Sequence, residues 1–91
     1  MDTRGAKTLV LVDVQGTVTV RGGEGGKTNI THDEGVTMVL DDDVLTITGP
    51  GKIRGTICVA KRCGMRVQGG TVTTKMKGSF GTVSGSCVNV F

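Results

Sequence analysis

Residues 16–21 read Gly-Thr-Val-Thr-Val-Arg, and this hexapeptide decides the fold class. A helix would repeat its apolar positions every three or four residues. Here Val18 and Val20 fall on one side and Thr17 and Thr19 on the other, the period of two that belongs to a half-buried strand. The preceding Gly16 punctuates the chain as a turn residue. The same opening, Gly-Thr followed by a β-branched residue, returns at Gly55-Thr56-Ile57, Gly70-Thr71-Val72 and Gly81-Thr82-Val83, with starts separated by 39, 15 and 11 residues. The period is irregular, but each copy begins a short strand after a turn.

Outward from this stretch the alternation continues in both directions. Val10, Val12 and Val14 are expected to share one face, and further strands are expected at 18–21, 27–31, 35–40, 44–48, 53–60, 65–68, 71–74, 80–84 and 87–91. Glycine pairs or acidic turns separate most of them, and Gly49-Pro50-Gly51 reads as a break between two. No segment carries a helical period. The chain is therefore expected to be all-β, with one domain over residues 1–91. Short Thr- and Val-rich strands punctuated by glycine suit the rungs of a β-solenoid, a parallel β-helix in which each turn stacks on the last. The alternative is a β-sandwich or small barrel built from hairpins.

Composition limits the core. Two aromatics, Phe80 and Phe91, stand beside fourteen Val, fourteen Thr and sixteen Gly in 91 residues. A core of Val, Ile, Leu, Met and Thr is thin, so stacking or partner subunits are expected to supply the remaining burial. The longest apolar run, 9–12, ends at Asp13 and is too short for a membrane span. The first residues have neither the apolar length nor the cleavage site of a secretory signal. The expected location is the cytoplasm, or a virion into which the chain is assembled.

The glycine-rich stretch 22–29, Gly-Gly-Glu-Gly-Gly-Lys-Thr-Asn, invites comparison with a phosphate-binding loop. Such a loop needs a glycine five residues before its Gly-Lys-Thr, and that position is Arg21. The adjoining segment 29–35 has no helical spacing, so the helix N-terminus that would bind phosphate is lacking. A glycine turn between strands is the expected reading, with no cofactor and no small-molecule substrate. Cys58, Cys63 and Cys87 are odd in number and are expected to be reduced thiols rather than a disulfide framework. Their spacing and the single imidazole, His32, do not suit zinc. Asp41-Asp42-Asp43 is expected in a turn, since adjacent strand carboxylates point to opposite faces. Ser79, Ser84 and Ser86 have no base near them in sequence, and no catalytic residue is assigned.

The run Val18-Thr19-Val20-Arg21, then Thr28-Asn29-Ile30-Thr31, then 36–40, then Asp43-Val44-Leu45-Thr46-Ile47-Thr48 resembles the opening of the putative-adhesin β-strand-repeat domains of bacteria. Residues 65–70 and 80–90 resemble later rungs of that family. Through its Gly-Thr-Ile/Val rungs the chain is more distantly similar to bactofilins, cytoskeletal β-helices that polymerise through their ends. The resemblance implies a parallel β-helix and carries no catalytic residue.

Charge is divided along the chain. The first 43 residues hold eight acidic and four basic side chains, a net of −4. From Val44 onward the seven basic residues Lys52, Arg54, Lys61, Arg62, Arg66, Lys75 and Lys77 meet no acidic one, a net of +7. If sequence position mapped onto axial position, one end of a rod would attract the other end of its neighbour, a heterologous contact that generates rings or filaments. Val88, Val90 and Phe91 are the expected apolar part of that contact. The leading expectation is thus a non-catalytic structural module that self-assembles into a homo-oligomer or filament. The second is a binding module that holds an anionic polymer such as nucleic acid through the seven basic residues.

Overall fold

In the computed structural model, residues 3, 5–23, 27–78, 80–85 and 88–90 are described, and among them there is no helix. Eight strands form one open sheet: β1 (Thr8–Gly22), β2 (Asn29–His32), β3 (Thr37–Asp41), β4 (Val44–Val59), β5 (Cys63–Gln68), β6 (Thr71–Gly78), β7 (Phe80–Gly85) and β8 (Val88–Val90). The first strand is the centre. On one side it pairs in parallel with β4, and on the other with β5 and then β6. Beyond these, β7 lies parallel to β5 and β8 parallel to β6. The outer edge of β4 carries β2 and β3, both antiparallel to it.

The long strands bend. A straight 15-residue strand such as β1 would reach about 50 Å, whereas the largest dimension of the molecule is 27 Å. The bends stack at one corner. Val12 pairs with Thr48 and Val14 with Gly51, so Gly49 and Pro50 together oppose the single residue Asp13, a bulge on β4. The next row turns at Gly69 and Gly70, both at positive φ. The Gly49-Pro50-Gly51 break is therefore a corner inside one continuous strand, because two glycines and a bulge let the pairing survive the turn.

The same corner corrects the face expected for Val10, Val12 and Val14. Asp13 has φ 55°, which resets the alternation by one residue. Leu9, Leu11 and Val14 are buried together, while Val10 and Val12 lie on the opposite, partly exposed side. Past the corner, Val18 and Val20 are buried and Thr17 faces solvent, as the alternation predicts.

In the core, large residues stack across the rows. Leu9 stands between Leu45 and Met65, and Leu11 between Ile47 and Val67. Where β1 carries Gly16, its neighbours are Ile53 and Val72; where it carries Val18, β4 contributes Gly55 and β6 the buried Thr74. The Gly-Thr copies are thus staggered rather than aligned, and Gly16 and Gly55 lie inside β1 and β4 instead of opening new strands. Both are at positive φ, where an added Cβ would meet the backbone oxygens of Ile53 and Asn29. Each fully buried Leu or Ile contributes about 1.5–3 kcal/mol by removal from water.

Row ends return close to their beginnings. Val59 pairs with Gly22, at the end of β1, and Gly64 with Thr8, at its start, although only residues 60–63 separate them. The connection passes the N-terminal segment, where Ala60 N donates to Ala6 O (2.9 Å) and Gly64 N to Lys7 O (3.0 Å).

Candidate interaction surfaces

Beyond the corner, alternation turns one set of residues outward, and the parallel register places them in rows across β4, β1 and β6. Lys52, Gln15 and Thr71 form one row, and Arg54, Thr17 and Thr73 the next. Thr56, Thr19 and Lys75 form the third, and Arg21 stands beside Lys77 in the last. Lys52, Arg54, Lys75 and Lys77 are exposed. Arg21 is half-buried, and its Nε is enclosed without a hydrogen-bond partner. No carboxylate belongs to these rows.

At the β2 margin of this face an open cleft of about 370 Å³ is lined by Gly16, Thr17, Thr31, His32, Asp33, Lys52, Ile53 and Arg54. Asp33 is committed to the backbone here: its Oδ2 accepts from Lys52 N at 2.9 Å, and its carbonyl accepts from His32 Nδ1 at 2.9 Å. The cleft therefore presents two cations, with its one carboxylate already holding the turn.

The other basic residues stand elsewhere. Lys61 and Arg62 occupy the turn before β5, where Cys63 N donates to Ala60 O at 3.2 Å and Arg62 has φ 63°. Arg66 is in register with Val10 and, through it, with Thr46 and Val39 on the outward side of the rows before the corner. The seven basic residues thus do not make one patch; Lys52, Arg54, Lys75 and Lys77 share a face, joined by Arg21, which chain position assigns to the acidic half. Counting charge by chain position conceals this, because β1 sits between β4 and β6 in the sheet.

For the same reason, chain order is not axial order. The sheet runs β2-β4-β1-β5-β7, so the expected acidic-to-basic gradient is redistributed. Asp33 and Glu34 lie between β2 and β3, and Asp41, Asp42 and Asp43 at the β3–β4 hairpin, all at one edge. Asp42 and Asp43 form the hairpin turn, with Asp42 at φ 57°. The opposite edge is β7 and β8, which among the described residues pair with β5 and β6 alone. Val88 and Val90 belong to β8, in register with Val72 and Thr74; Phe91 and Cys87 lie outside the described residues.

Glu24, Gly25 and Gly26 of the glycine-rich stretch also lie outside the described residues. Thr28 does not face a ligand: its hydroxyl accepts from Cys58 N at 3.0 Å and shares a hydrogen bond with the Thr3 hydroxyl. Thr3 Oγ1 in turn donates to Cys58 O at 2.6 Å. The strand β2 occupies the place where a phosphate loop requires a helix. Cys58 and Cys63 are buried free thiols. Burial pushes the Cys63 thiol from an ordinary value near 9 up to about 11, against a smaller opposite pull from a hydrogen bond with the Leu9 backbone.

Among the described residues, no three His, Cys, Asp or Glu side chains are grouped to hold a metal ion, and no helix is long and apolar enough to cross a membrane. Compared with protein-family models, characterised proteins and solved structures, the chain has no match.

Proposed function

We propose that this chain is a non-catalytic structural subunit, a short β-solenoid that associates end to end with further copies of itself. Support for the solenoid reading comes from the parallel register of β1 with both its neighbours and from the return of the chain from the end of the β4 row to the start of the β5 row through residues 60–63. The likeness to adhesin repeats and bactofilins points the same way. The row of β2 and β3 along the outer edge of β4 then acts as one terminal layer and β7–β8 as the other.

The observation that carries the assembly reading is the contrast between those two layers. Residues 78–91 contain no charged side chain and no proline, the devices by which edge strands ordinarily block further pairing. The layer beneath them carries Arg66, Lys75 and Lys77, whereas the opposite edge carries Asp33, Glu34 and Asp41 to Asp43. A copy that docks its β7–β8 edge on the β2–β3 edge of the next would extend the sheet and bring opposite charges together. The contact is heterologous and generates a ring or a filament, suited to a cytoskeletal or virion-associated scaffold. Charge would set register and encounter rate, and backbone pairing the affinity.

Light scattering and negative-stain microscopy at low and high salt test this reading. Rings, filaments or discrete oligomers that weaken with salt are expected, and Asn89→Lys, which adds a charge to β8 in register with Thr73, is expected to reduce them to monomers. A monodisperse monomer in both salts would overturn the proposal.

A further inference from the structure

We infer that the outward face of β4, β1 and β6 binds double-stranded nucleic acid through its phosphates, independently of sequence and of the assembly proposed above.

Five cations occupy that face: Lys52 and Arg54 on β4, Arg21 on β1, Lys75 and Lys77 on β6. Arg21 and Lys77 are direct neighbours in the parallel register, and Lys75 is one outward position away from both. Like charges held side by side on a sheet are unfavourable, and no carboxylate in these rows relieves them. Among the described residues Arg21 Nε has no acceptor, so no carboxylate neutralises this cation at that atom. An incoming phosphate would relieve the repulsion between Arg21 and its neighbours through the exposed part of the face.

The polar groups between the cations fit the same ligand. Thr17, Thr19, Thr56 and Thr73 present hydroxyls in register with them, and threonine hydroxyls are common phosphate donors in nucleic-acid complexes. Among the described residues, the carboxylates at 41–43 are at the outer edge beyond β4. Asp33, at the margin of the face, keeps its charge but is held in the turn by Lys52 N, and the cations of the face outnumber it.

A duplex fits better than a single strand. Sequence-tolerant single-strand sites stack bases on aromatic rings, and the only aromatics of the chain, Phe80 and Phe91, belong to neither β4, β1 nor β6. From Lys52 to Lys77 the rows span two strand spacings and six residues, a diagonal of about 22 Å. A duplex of that length carries about 13 phosphate charges. A flat sheet face cannot enter the major groove to read bases, so binding would be through the backbone alone.

Fluorescence anisotropy with a labelled 20-base-pair DNA duplex, titrated at several salt concentrations, tests the inference, and running it in an Asn89→Pro background, which blocks edge pairing without adding a charge to the row of Thr73, separates it from assembly. Binding in the micromolar range at 50 mM salt is expected, with log K falling against log[salt] at a slope of about −4.5 for five phosphate contacts. Lys75→Gln/Lys77→Gln is expected to weaken binding at least about tenfold at 50 mM salt and make the slope shallower by about 2. Arg54→Gln should make it shallower by about 1. Lys61→Gln/Arg66→Gln removes the same charge off the face and should keep the slope within about 0.5 of the parent's. Absence of binding at 50 mM salt, equal losses in the two double variants, or tighter binding to a sulfated glycan, an anionic vesicle or a single strand than to the duplex would each overturn it.

Discussion

Gly69, at φ 72°, lies against the carboxylate of Asp13, itself at φ 55°, so that a Cβ added to Gly69 would collide with Asp13 Oδ1. This contact joins the corners of two adjacent rows. Gly69→Ala combines the left-handed penalty, about 1–2 kcal/mol, with that collision. The expected cost is about 2–3 kcal/mol in urea denaturation. Asp13→Gly removes both the obstructing carboxylate and a non-glycine residue from positive φ. The double variant should therefore recover at least about 0.5 kcal/mol relative to the sum of the singles, and strict additivity would show that the two corners are independent.

Arg62 is a second non-glycine at positive φ, in the 60–63 turn that returns the chain toward its start. A type II turn takes glycine at this third position for steric reasons. Arg62→Gly is expected to stabilise by up to about 1 kcal/mol, the left-handed penalty less the added entropy of glycine in the unfolded chain. Arg62→Val should destabilise by about 1–2 kcal/mol, since branching at Cβ worsens the same clash. Thermal melts of the three proteins check the order Gly above Arg above Val.

How much of this fold is legible in the sequence divides along a physical line. Alternation is a local property, so the strands at 29–32, 37–41, 63–68 and 80–85 are readable to within a few residues. Asp13 reads only as the stop to an apolar run. Its backbone conformation is not encoded by its side-chain class, and this is why alternation alone misassigns the faces of Val10 and Val12. Pro50 and its glycines read as a break because proline usually ends pairing, and only the bulge opposite Asp13 explains why β4 continues. The placement of β1 between β4 and β5 is a long-range choice that no periodicity records. That choice brings Arg21 beside Lys77 and gathers part of the basic half on one face, while sending Arg66 to another.

Thr3 anchors the N-terminal segment to the end of β4. Its hydroxyl donates to Cys58 O and meets the Thr28 hydroxyl, which accepts from Cys58 N. The side chain is buried, so water cannot replace what a substitution removes. Thr3→Val, nearly equal in volume, is expected to cost about 1–3 kcal/mol, and Thr3→Ser less than about 1.5 kcal/mol because the donor is kept. Equal losses for the two variants in urea would assign the role of Thr3 to methyl packing rather than to the hydrogen bond.

Cys63 makes stability depend on alkaline pH. Its folded thiol titrates at about 11, against an ordinary value near 9, because burial penalises the thiolate. Below pH 9 the folded and unfolded chains both keep the proton, and this residue contributes no pH dependence. Between 9 and 11 the unfolded thiol loses its proton while the folded one retains it, so the unfolded state binds fewer protons and stability falls as pH rises. Above 11 both forms ionise and the decline from this group ends. Lysines titrate in the same window, so the informative quantity is the difference between the parent protein and Cys63→Ala, measured by urea denaturation at pH 8, 9, 10 and 11. The parent should lose stability relative to the variant across that series. Iodoacetamide at pH 8, read at the residue by mass spectrometry, should likewise label Cys63 only as fast as the protein opens; rapid labelling of Cys63 in the folded chain, with a pH-independent difference, would place the thiol in contact with solvent.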